Sequence, residues 1–321
     1  MKNIFVLGGT GFVGRHVLQK LVRQGYNVTV ATRRAINARE VQTLPTVTVA
    51  ELDVHNPAQL QLALAGHDAV VNLVAILHGS DAAFQKVHVD LPVSLARCAA
   101  AAGVGRVVHI SALGADPGAP ESAPSRYLRS KSRGELALRH SALSVSVLRP
   151  SVIFGAEDKF LNMFASLQQV FPFMPLAGAA ARFQPVWVED VAAAVVCLLQ
   201  RRASAGSSEV WEACGPKVYT LGELVHGAGV WAGIAEGRGR PVIPLPQWAG
   251  RLQAALMELA PGEPLMSRDN LDSMKTDNIA SGTEAGLADL GIHPAALEPI
   301  AMDYLQRSRP GYGLPGLRRR V

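Results

Sequence analysis

The chain opens Lys2-Asn-Ile-Phe-Val-Leu7 and turns at once into Gly8-Gly-Thr-Gly-Phe-Val-Gly14. An apolar run rich in strand formers meets a glycine cluster, and Phe12, Val13, His16, Val17, Lys20 and Leu21 then follow at helical spacing. The pattern predicts strand, tight turn, helix. Such a turn aims unpaired backbone N–H groups outward from the positive end of a helix, where a pyrophosphate can sit. Gly8 is expected to make the turn, Gly11 to let phosphates approach, and Gly14 to let helix pack on strand. The spacing Gly-x-x-Gly-x-x-Gly differs from the Gly-x-Gly-x-x-Gly of long-helix dehydrogenases, and its place on the first strand of a β-α-β series marks it as dinucleotide-binding.

Strand-like runs recur at Asn3–Leu7, Asn27–Ala31, Val47–Leu52, Ala69–Leu73, Arg106–Ile110 and Ser144–Leu148. Helical patterns separate them. Asn56-Pro57 reads as an N-cap with Pro at the first helical position, and Gly66 stops that helix. Asp90-Leu-Pro92 is expected to start another, ending in an alanine run at Gly103. Single helices between strands imply right-handed crossovers and a parallel sheet covered on both faces. The fold class is therefore α/β, a doubly wound Rossmann-like parallel sheet, with the dinucleotide-binding domain over 1–150. After Pro150 the rhythm breaks: Phe183–Val188, Glu209–Ala213 and Pro241–Pro246 stand as isolated strands, and Pro172, Pro175, Pro244, Pro246, Pro261 and Pro264 interrupt the helices. Residues 151–321 are expected to form mainly a smaller C-terminal α/β substrate lobe, with some segments returning to the sheet.

Composition narrows the classes. With 321 residues, 49% hydrophobic and 18% charged, the chain can build a sizeable core and is not a disordered one. Lys2 leads directly into the first strand, leaving no room for a signal peptide, so a cytoplasmic protein is expected. The longest apolar run, Val191 to Leu199, is about half of a membrane span. Cys98, Cys197 and Cys214 are scattered and read as buried small residues, and the nine histidines suggest no metal site. A net charge of +5 and a pI near 9.3 fit anionic company. Arg126, Arg129, Lys131 and Arg133 form one basic cluster; Arg307, Arg309 and Arg318-Arg-Arg320 form another. Neither belongs to a nucleic-acid-binding motif, so no nucleic-acid partner is expected. The basic tail is most simply a solvated end, with a peripheral anionic-membrane contact as the alternative.

The cofactor type follows from the end of the second strand. A site selective for NAD places an acid about 20 residues past the glycines, on the ribose 2′-OH. Ala31-Thr-Arg33-Arg34 has no carboxylate and two guanidiniums where a 2′-phosphate would lie, which favours NADP(H) over NAD(H). Asp53, ending the third strand, either accepts from an adenine amino group or caps the next turn. Tyr127-Leu-Arg-Ser-Lys131 puts a phenol and an ammonium on one helix face, and a lysine charge there is expected to lower the tyrosine pKa. The cofactor-lining set expected from these stretches is Gly8, Thr10, Gly11, Phe12, Val13, Gly14, Arg33, Arg34, Asp53, Val54, Leu73, Val74, Ala75, Ser111, Tyr127 and Lys131.

Gly8–Gly14, Tyr127-x-x-x-Lys131, Leu148-Arg-Pro-Ser-Val-Ile-Phe-Gly155 and Gln184-Pro-Val-Trp-Val-Glu-Asp-Val191 together resemble the extended short-chain dehydrogenase/reductase superfamily over nearly the whole chain. His109-Ile-Ser-Ala-Leu-Gly-Ala-Asp116, Ser125-Arg-Tyr-Leu-Arg-Ser-Lys131 and Phe154-Gly-Ala-Glu-Asp-Lys-Phe-Leu-Asn162 are similar to its atypical branch, which includes the nucleotide-binding accessory subunit of respiratory complex I and bacterial relatives. The resemblance implies firmly held NADPH and a link to ubiquinone synthesis or respiratory-complex assembly. It also implies that Arg149-Pro150-Ser151 and Ile153 line the nicotinamide side, and that Asp190 begins the helix after the substrate-lobe strand. One departure stands out. Active members follow strand five with a run of serines or threonines, whereas this chain has Ser111-Ala-Leu-Gly114. Ser111 then remains the candidate catalytic hydroxyl beside Tyr127 and Lys131, with Ser125 as a substitute.

Three functions compete on these residues. The first is a reductase or dehydrogenase acting on a small or isoprenoid-like carbonyl, with Tyr127 moving the proton and Lys131 fixing the ribose. The second is a non-catalytic NADPH-binding module serving a respiratory or quinone-synthesis partner, favoured by Ala112 and Leu113. The third, a nucleotide-sugar epimerase or dehydratase, is opposed by Arg33 and Arg34, since those enzymes generally hold NAD(H). A final apolar stretch, Phe160-Leu-Asn-Met-Phe164 through Phe171-Pro-Phe-Met-Pro-Leu176, reads as core between lobe and sheet, with a greasy substrate mouth or membrane patch as the alternative.

Overall fold

In the computed structural model, which describes residues 2–201, 204–259 and 266–307, Asn3–Leu7 forms strand β1 and buries every side chain after Asn3. Chain order continues through α1 (Phe12–Arg23), β2 (Asn27–Thr32), β3 (Val47–Glu51), α2 (Pro57–Leu64), β4 (Ala69–Asn72), α3 (Asp81–Phe84), α4 (Leu91–Ala101), β5 (Arg106–Ile110), α5 (Arg126–Arg139) and β6 (Ser144–Pro150). Then come β7 (Ile153–Phe154), α6 (Phe160–Val170), β8 (Met174–Ala177), β9 (Arg182–Phe183), β10 (Val186–Trp187), α7 (Val188–Gln200), β11 (Ser208–Ala213), β12 (Tyr219–Thr220) and α8 (Leu221–Trp231). The remainder is β13 (Val242–Leu245), α9 (Gln247–Glu258), α10 (Arg268–Ser273), β14 (Ala285–Gly286) and α11 (Leu297–Arg307).

Eight strands lie in one sheet in the order β14-β11-β6-β5-β4-β1-β2-β3, every neighbouring pair parallel. On one face Phe5, Leu7, Val70, Val107, Val145 and Val147 meet Leu60 and Leu64 of α2, Leu91 and Leu95 of α4 and Leu138 of α5. The alternate residues Ile4 and Val6 point to the other face. There α1 packs on α7, and Glu189 binds His16 Nδ1 at 2.5 Å and Lys20 Nζ at 2.7 Å. The chain leaves β1 for β2 and β3 and then returns to β4, so the winding reverses between β1 and β4. A crevice outside the carboxyl ends of strands at such a reversal is where open α/β sheets bind ligands.

Two compact units separate. One holds the described residues of Met1–Pro150, Val188–Ala213 and Ala280–His293; the other holds those of Ser151–Trp187, Cys214–Ile279 and Pro294–Val321. The second unit has its own core, in which Leu161, Phe164, Met174 and Leu176 pack with Leu221, Leu224, Val225 and Trp231 of α8 and Tyr304 of α11. The Phe160–Leu176 stretch therefore divides. Most of it is core, while Val170, Phe171 and Phe173, around the α6–β8 turn, are exposed.

Several expectations change. Glu209–Ala213 is not isolated: it is most of β11, paired with β6 from Ser208↔Val145 to Ala213↔Pro150. Phe183–Val188 is not one strand, since Gln184-Pro185 separates β9 from β10 and Val188 already belongs to α7. Asp90 does not start its helix. The chain is helical from Asp81 and passes through a π-helical turn at Gln85–Asp90 into α4. Pro261, Pro264, Arg309 and Arg318–Arg320 lie outside the described residues.

Candidate functional site

Glycine is required at two points of the β1–α1 turn. Gly8 sits at φ +78°, and Leu73 and Val74, just past β4, close against it at 3.0 and 3.1 Å from where a Cβ would stand. At Gly14 a Cβ would lie 2.4 Å from Gly8 O and 2.6 Å from Gly9 Cα, so helix and turn touch backbone to backbone. Gly11 is exposed, and the nearest atom to its Cβ position is 3.4 Å away. It is the N-cap residue of α1, yet no side chain caps that end and no acid occupies the first turn. The first-turn amides around Phe12, Val13 and Gly14, with Thr10 beside them, form an uncapped, unhindered cradle. These residues fit a pyrophosphate.

The carboxyl ends of β2 and β3 meet this cradle's sheet edge. Arg33 and Arg34 are exposed, and among the described residues neither has an acidic partner. Strand β2 ends without a carboxylate, but its neighbour brings one that sequence order hides. Glu51 pairs in register with Thr32, and its carboxylate accepts the Ala35 N–H at 2.7 Å. Asp53 accepts the His55 N–H at 3.0 Å in a local turn, while Val54 packs against the core. Ala75 is exposed two residues beyond Leu73.

Ser111 follows β5 directly and is 3% exposed, and its Oγ is buried with no hydrogen-bond partner among the described residues. Ala112 and Leu113 are buried too, with Ala112 packed against Ala123 and Leu128, so neither place in that turn offers a polar group. Ser125, the other hydroxyl considered, is fully buried and caps α5 by accepting the Leu128 N–H at 3.1 Å. Tyr127 lies one turn before Lys131 on α5. Its phenol is not acidified; burial pushes it up to about 12. The Lys131 ammonium, 2% exposed, instead donates to the Ile110 carbonyl at 2.7 Å. Burial lowers Lys131 to about 8, against an opposing pull from Glu135.

That depressed value has a measurable consequence. A lysine titrating near 8 when folded and near 10.5 when unfolded is charged at a cost below pH 8. As pH rises from about 8 to 10.5 the unfolded chain holds more protons, so this group's contribution to stability increases. The full difference is about 3 kcal/mol. Urea unfolding at the two ends of that window should show wild type gaining on Lys131→Met by up to that amount; an identical pH dependence would contradict the burial argument.

A brace not foreseen in the sequence positions α5. Pro92 has no N–H, so the His88 carbonyl four residues earlier loses its helical donor. The π turn absorbs the misfit, and His88 O stands 1.8 Å from where a Cβ on Gly134 would be. Only glycine lets the two helices approach so closely. The His88 ring accepts the Ile76 N–H on Nε2 at 3.1 Å, so Nδ1 carries the proton and donates to Ser130 Oγ at 2.8 Å. Ser130 in turn donates to the Tyr127 carbonyl. Burial first, then the Lys131 charge, depresses His88 to about 3, keeping it neutral with its ring edge-on to Tyr127. A glycine inside a helical pattern was the available signal for this contact.

Other expected residues are held elsewhere. Arg149 forms a buried two-pronged pair with Glu135, bracing β6 on α5, and Pro150 ends β6. In the second unit Ser151 Oγ donates to Asn278 Oδ1 at 2.7 Å, and Ile153 lies on β7 opposite Val186. Asp190 is in the first turn of α7, which begins at Val188. Arg126, Arg129 and Arg133 of the basic cluster line a groove of about 400 Å³ with Asp81, Phe84 and Gln85, but their charges are largely engaged. Arg126 pairs with Asp81 at 3.2 Å and Arg133 with Glu121 at 3.1 Å, and Arg129 donates to the carbonyls of Ala123 and Pro124.

A family model described as NAD(P)H-binding matches residues 8–163, the stretch that carries this cradle. The chain is 30% identical over 319 residues to the mitochondrial NADH-ubiquinone oxidoreductase 40 kDa subunit of Neurospora crassa, with 97% of this chain and 81% of that one covered. It is 31% identical over 317 residues to the mitochondrial NADH dehydrogenase (ubiquinone) 1 alpha subcomplex subunit 9 of Mus musculus, covering 95% and 80%. UDP-glucose 4-epimerase of Thermus thermophilus shares the fold, with a TM-score of 0.68 at 18% identity over 96% and 100% of the two chains. The parallel sheet and its glycine turn make this an NAD(P)-binding Rossmann protein. Within that class the chain belongs to the extended short-chain dehydrogenase/reductase family, and its high-coverage relatives are these 40 kDa and alpha subcomplex subunit 9 proteins.

Proposed function

We propose that this protein is an NADP(H)-dependent oxidoreductase acting on the carbonyl/hydroxyl pair of a small or isoprenoid-like substrate. The observation that carries the reading is the buried Ser111 hydroxyl that no group among the described residues satisfies, one residue from the carbonyl that holds Lys131. A buried unpaired hydroxyl and a buried ammonium both oppose folding, and a ligand that bonds them offsets that cost. Lys131 uses one of three donors on Ile110, which leaves two for ribose hydroxyls. Ser111 Oγ is placed to donate to a substrate carbonyl. Tyr127, protonated at neutral pH as an ordinary phenol is and more firmly so in its buried setting, gives its proton to the substrate oxygen during reduction and recovers it from solvent. The nicotinamide, when bound, supplies or accepts the hydride. Arg33 and Arg34, without an acidic partner among the described residues, support a 2′-phosphate and hence NADP(H).

A second reading is supported by the relatives named as NADH dehydrogenase subunits and by the buried Ala112 and Leu113. In it NADPH is a structural or sensing ligand, and the protein serves a respiratory or quinone-synthesis partner from the cytoplasm at a membrane periphery. Replacing Tyr127 with Phe separates the two. With a panel of carbonyl substrates and NADPH, the variant should lose about 10²–10⁴-fold in kcat while its NADPH affinity stays unchanged. Turnover equal to wild type would exclude the proton-transfer role, and a wild type that binds NADPH but turns over none of the panel would favour the second reading.

A further inference from the structure

Helix α9 is built inside out. Gly250 and Ala254 are its buried residues, and Gly250 approaches β8 so closely that a Cβ would stand 2.3 Å from that of Ala177. At about 100° per residue, Trp248, Leu252, Leu256 and the following Leu259 fall in one arc on the opposite side. They are 72, 57, 61 and 82% exposed. A surface helix ordinarily hides its large apolar side chains and shows small or polar ones. A contiguous row turned outward marks a contact surface.

We propose that this outward face of α9 lies in the headgroup–acyl boundary of an anionic membrane, a surface assignment that rests on the membrane-peripheral reading above. Three observations favour lipid over another occupant. Trp248 heads a row of leucines, and its ring combines an apolar body with one N–H, the chemistry that settles at a bilayer interface. Among the described residues the charged flanks are already paired, Arg251 with Asp272 and Glu258 with Arg268, so neither of those acids stands uncompensated against an anionic surface. The eighteen residues after Asp303 hold five arginines and no acid. An apolar helix face and a polybasic segment are the two weak signals whose sum gives stable peripheral attachment. A second copy of the chain fits less well, because four side chains cannot by themselves supply the roughly 800 Å² per partner of a standard interface. The contact is superficial: among the described residues no helix is long and apolar enough to cross a membrane.

The test uses full-length protein and co-sedimentation with vesicles of phosphatidylcholine containing about one third phosphatidylglycerol, and of phosphatidylcholine alone. Wild type should bind the anionic vesicles and shed them at high salt, with a blue shift in tryptophan fluorescence that Trp248→Phe removes. The triple variant Trp248→Ser, Leu252→Ser, Leu256→Ser should bind at least about tenfold more weakly while keeping wild-type NADPH affinity, which shows that it is folded. Equal binding by wild type and triple variant would overturn the assignment of α9 and leave the membrane-peripheral reading standing. Absence of wild-type binding to either vesicle would overturn both. A change of solution mass from dimer to monomer in the triple variant, without vesicle binding by wild type, would identify a second copy as the occupant.

Discussion

Gly14→Ala should abolish measurable NADPH binding, because its Cβ would collide with backbone and not with a movable side chain. Gly8 O at 2.4 Å and Gly9 Cα at 2.6 Å can withdraw only if the β1–α1 turn opens. Overpacking of this kind costs about 1–3 kcal/mol even where side chains can yield, and here the displaced atoms are the cradle itself. Loss of affinity by at least about 100-fold, with a lowered Tm, is the expected result. Gly11→Ala provides the contrast. Its Cβ has ordinary clearance at 3.4 Å, and the residue sits at φ −82°, which alanine adopts without strain. Thermal stability should be unchanged while NADPH affinity falls, since the added methyl occupies the space the phosphates need. If Gly11→Ala binds NADPH as wild type does, the pyrophosphate does not lie over this helix end.

The second large effect is expected from the double substitution Arg33→Ser, Arg34→Ser. Charge-assisted hydrogen bonds are each worth about 1.5–3 kcal/mol, and exposure places these two at the low end. Their joint removal should weaken NADPH by about 100-fold and leave NADH binding unchanged. The wild-type preference should also shrink with added salt, as contacts between exposed charges do. A variant that loses both cofactors equally would show that the arginines support the fold or the pyrophosphate and not a 2′-phosphate.

The sheet was legible because its signals are local. Asn3–Leu7 and Arg106–Ile110 are short runs rich in strand-forming apolar residues, and the structure begins and ends them at those residues. Asn56-Pro57 was readable as a helix start for the same reason, and Asn56 accepts the N–H groups of Ala58 and Gln59. What escaped the sequence depends on contacts between distant segments. β11 joins the sheet through Val145 and its neighbours some sixty residues earlier, and β14 is a two-residue strand with no periodicity to detect. Asp90-Leu-Pro92 imitates a helix start, because an acid before a proline looks alike at a true N-cap and at a π turn.

The candidate site divides along the same line. The roles of Gly8 and Gly14 follow from steric rules that hold for any chain. The acidity of Tyr127 does not, because it depends on where the Lys131 ammonium points, and Ile110 O captures it. Ser125 reads as a free hydroxyl until α5 is seen to begin on it. Glu51 escaped because register, not sequence distance, brings it opposite Thr32. The outward face of α9 was missed because an apolar period of this kind marks a buried stripe in most helices, and only the fold reveals which side Gly250 takes.

Titration of nucleotide-free wild-type protein with NADPH and with NADH measures the cofactor preference itself. An NADP(H) pocket built on Gly8–Gly14, Arg33 and Arg34 predicts that NADPH binds tighter by about 100-fold, roughly 2.7 kcal/mol. Equal affinities, or a tighter NADH complex, would contradict it.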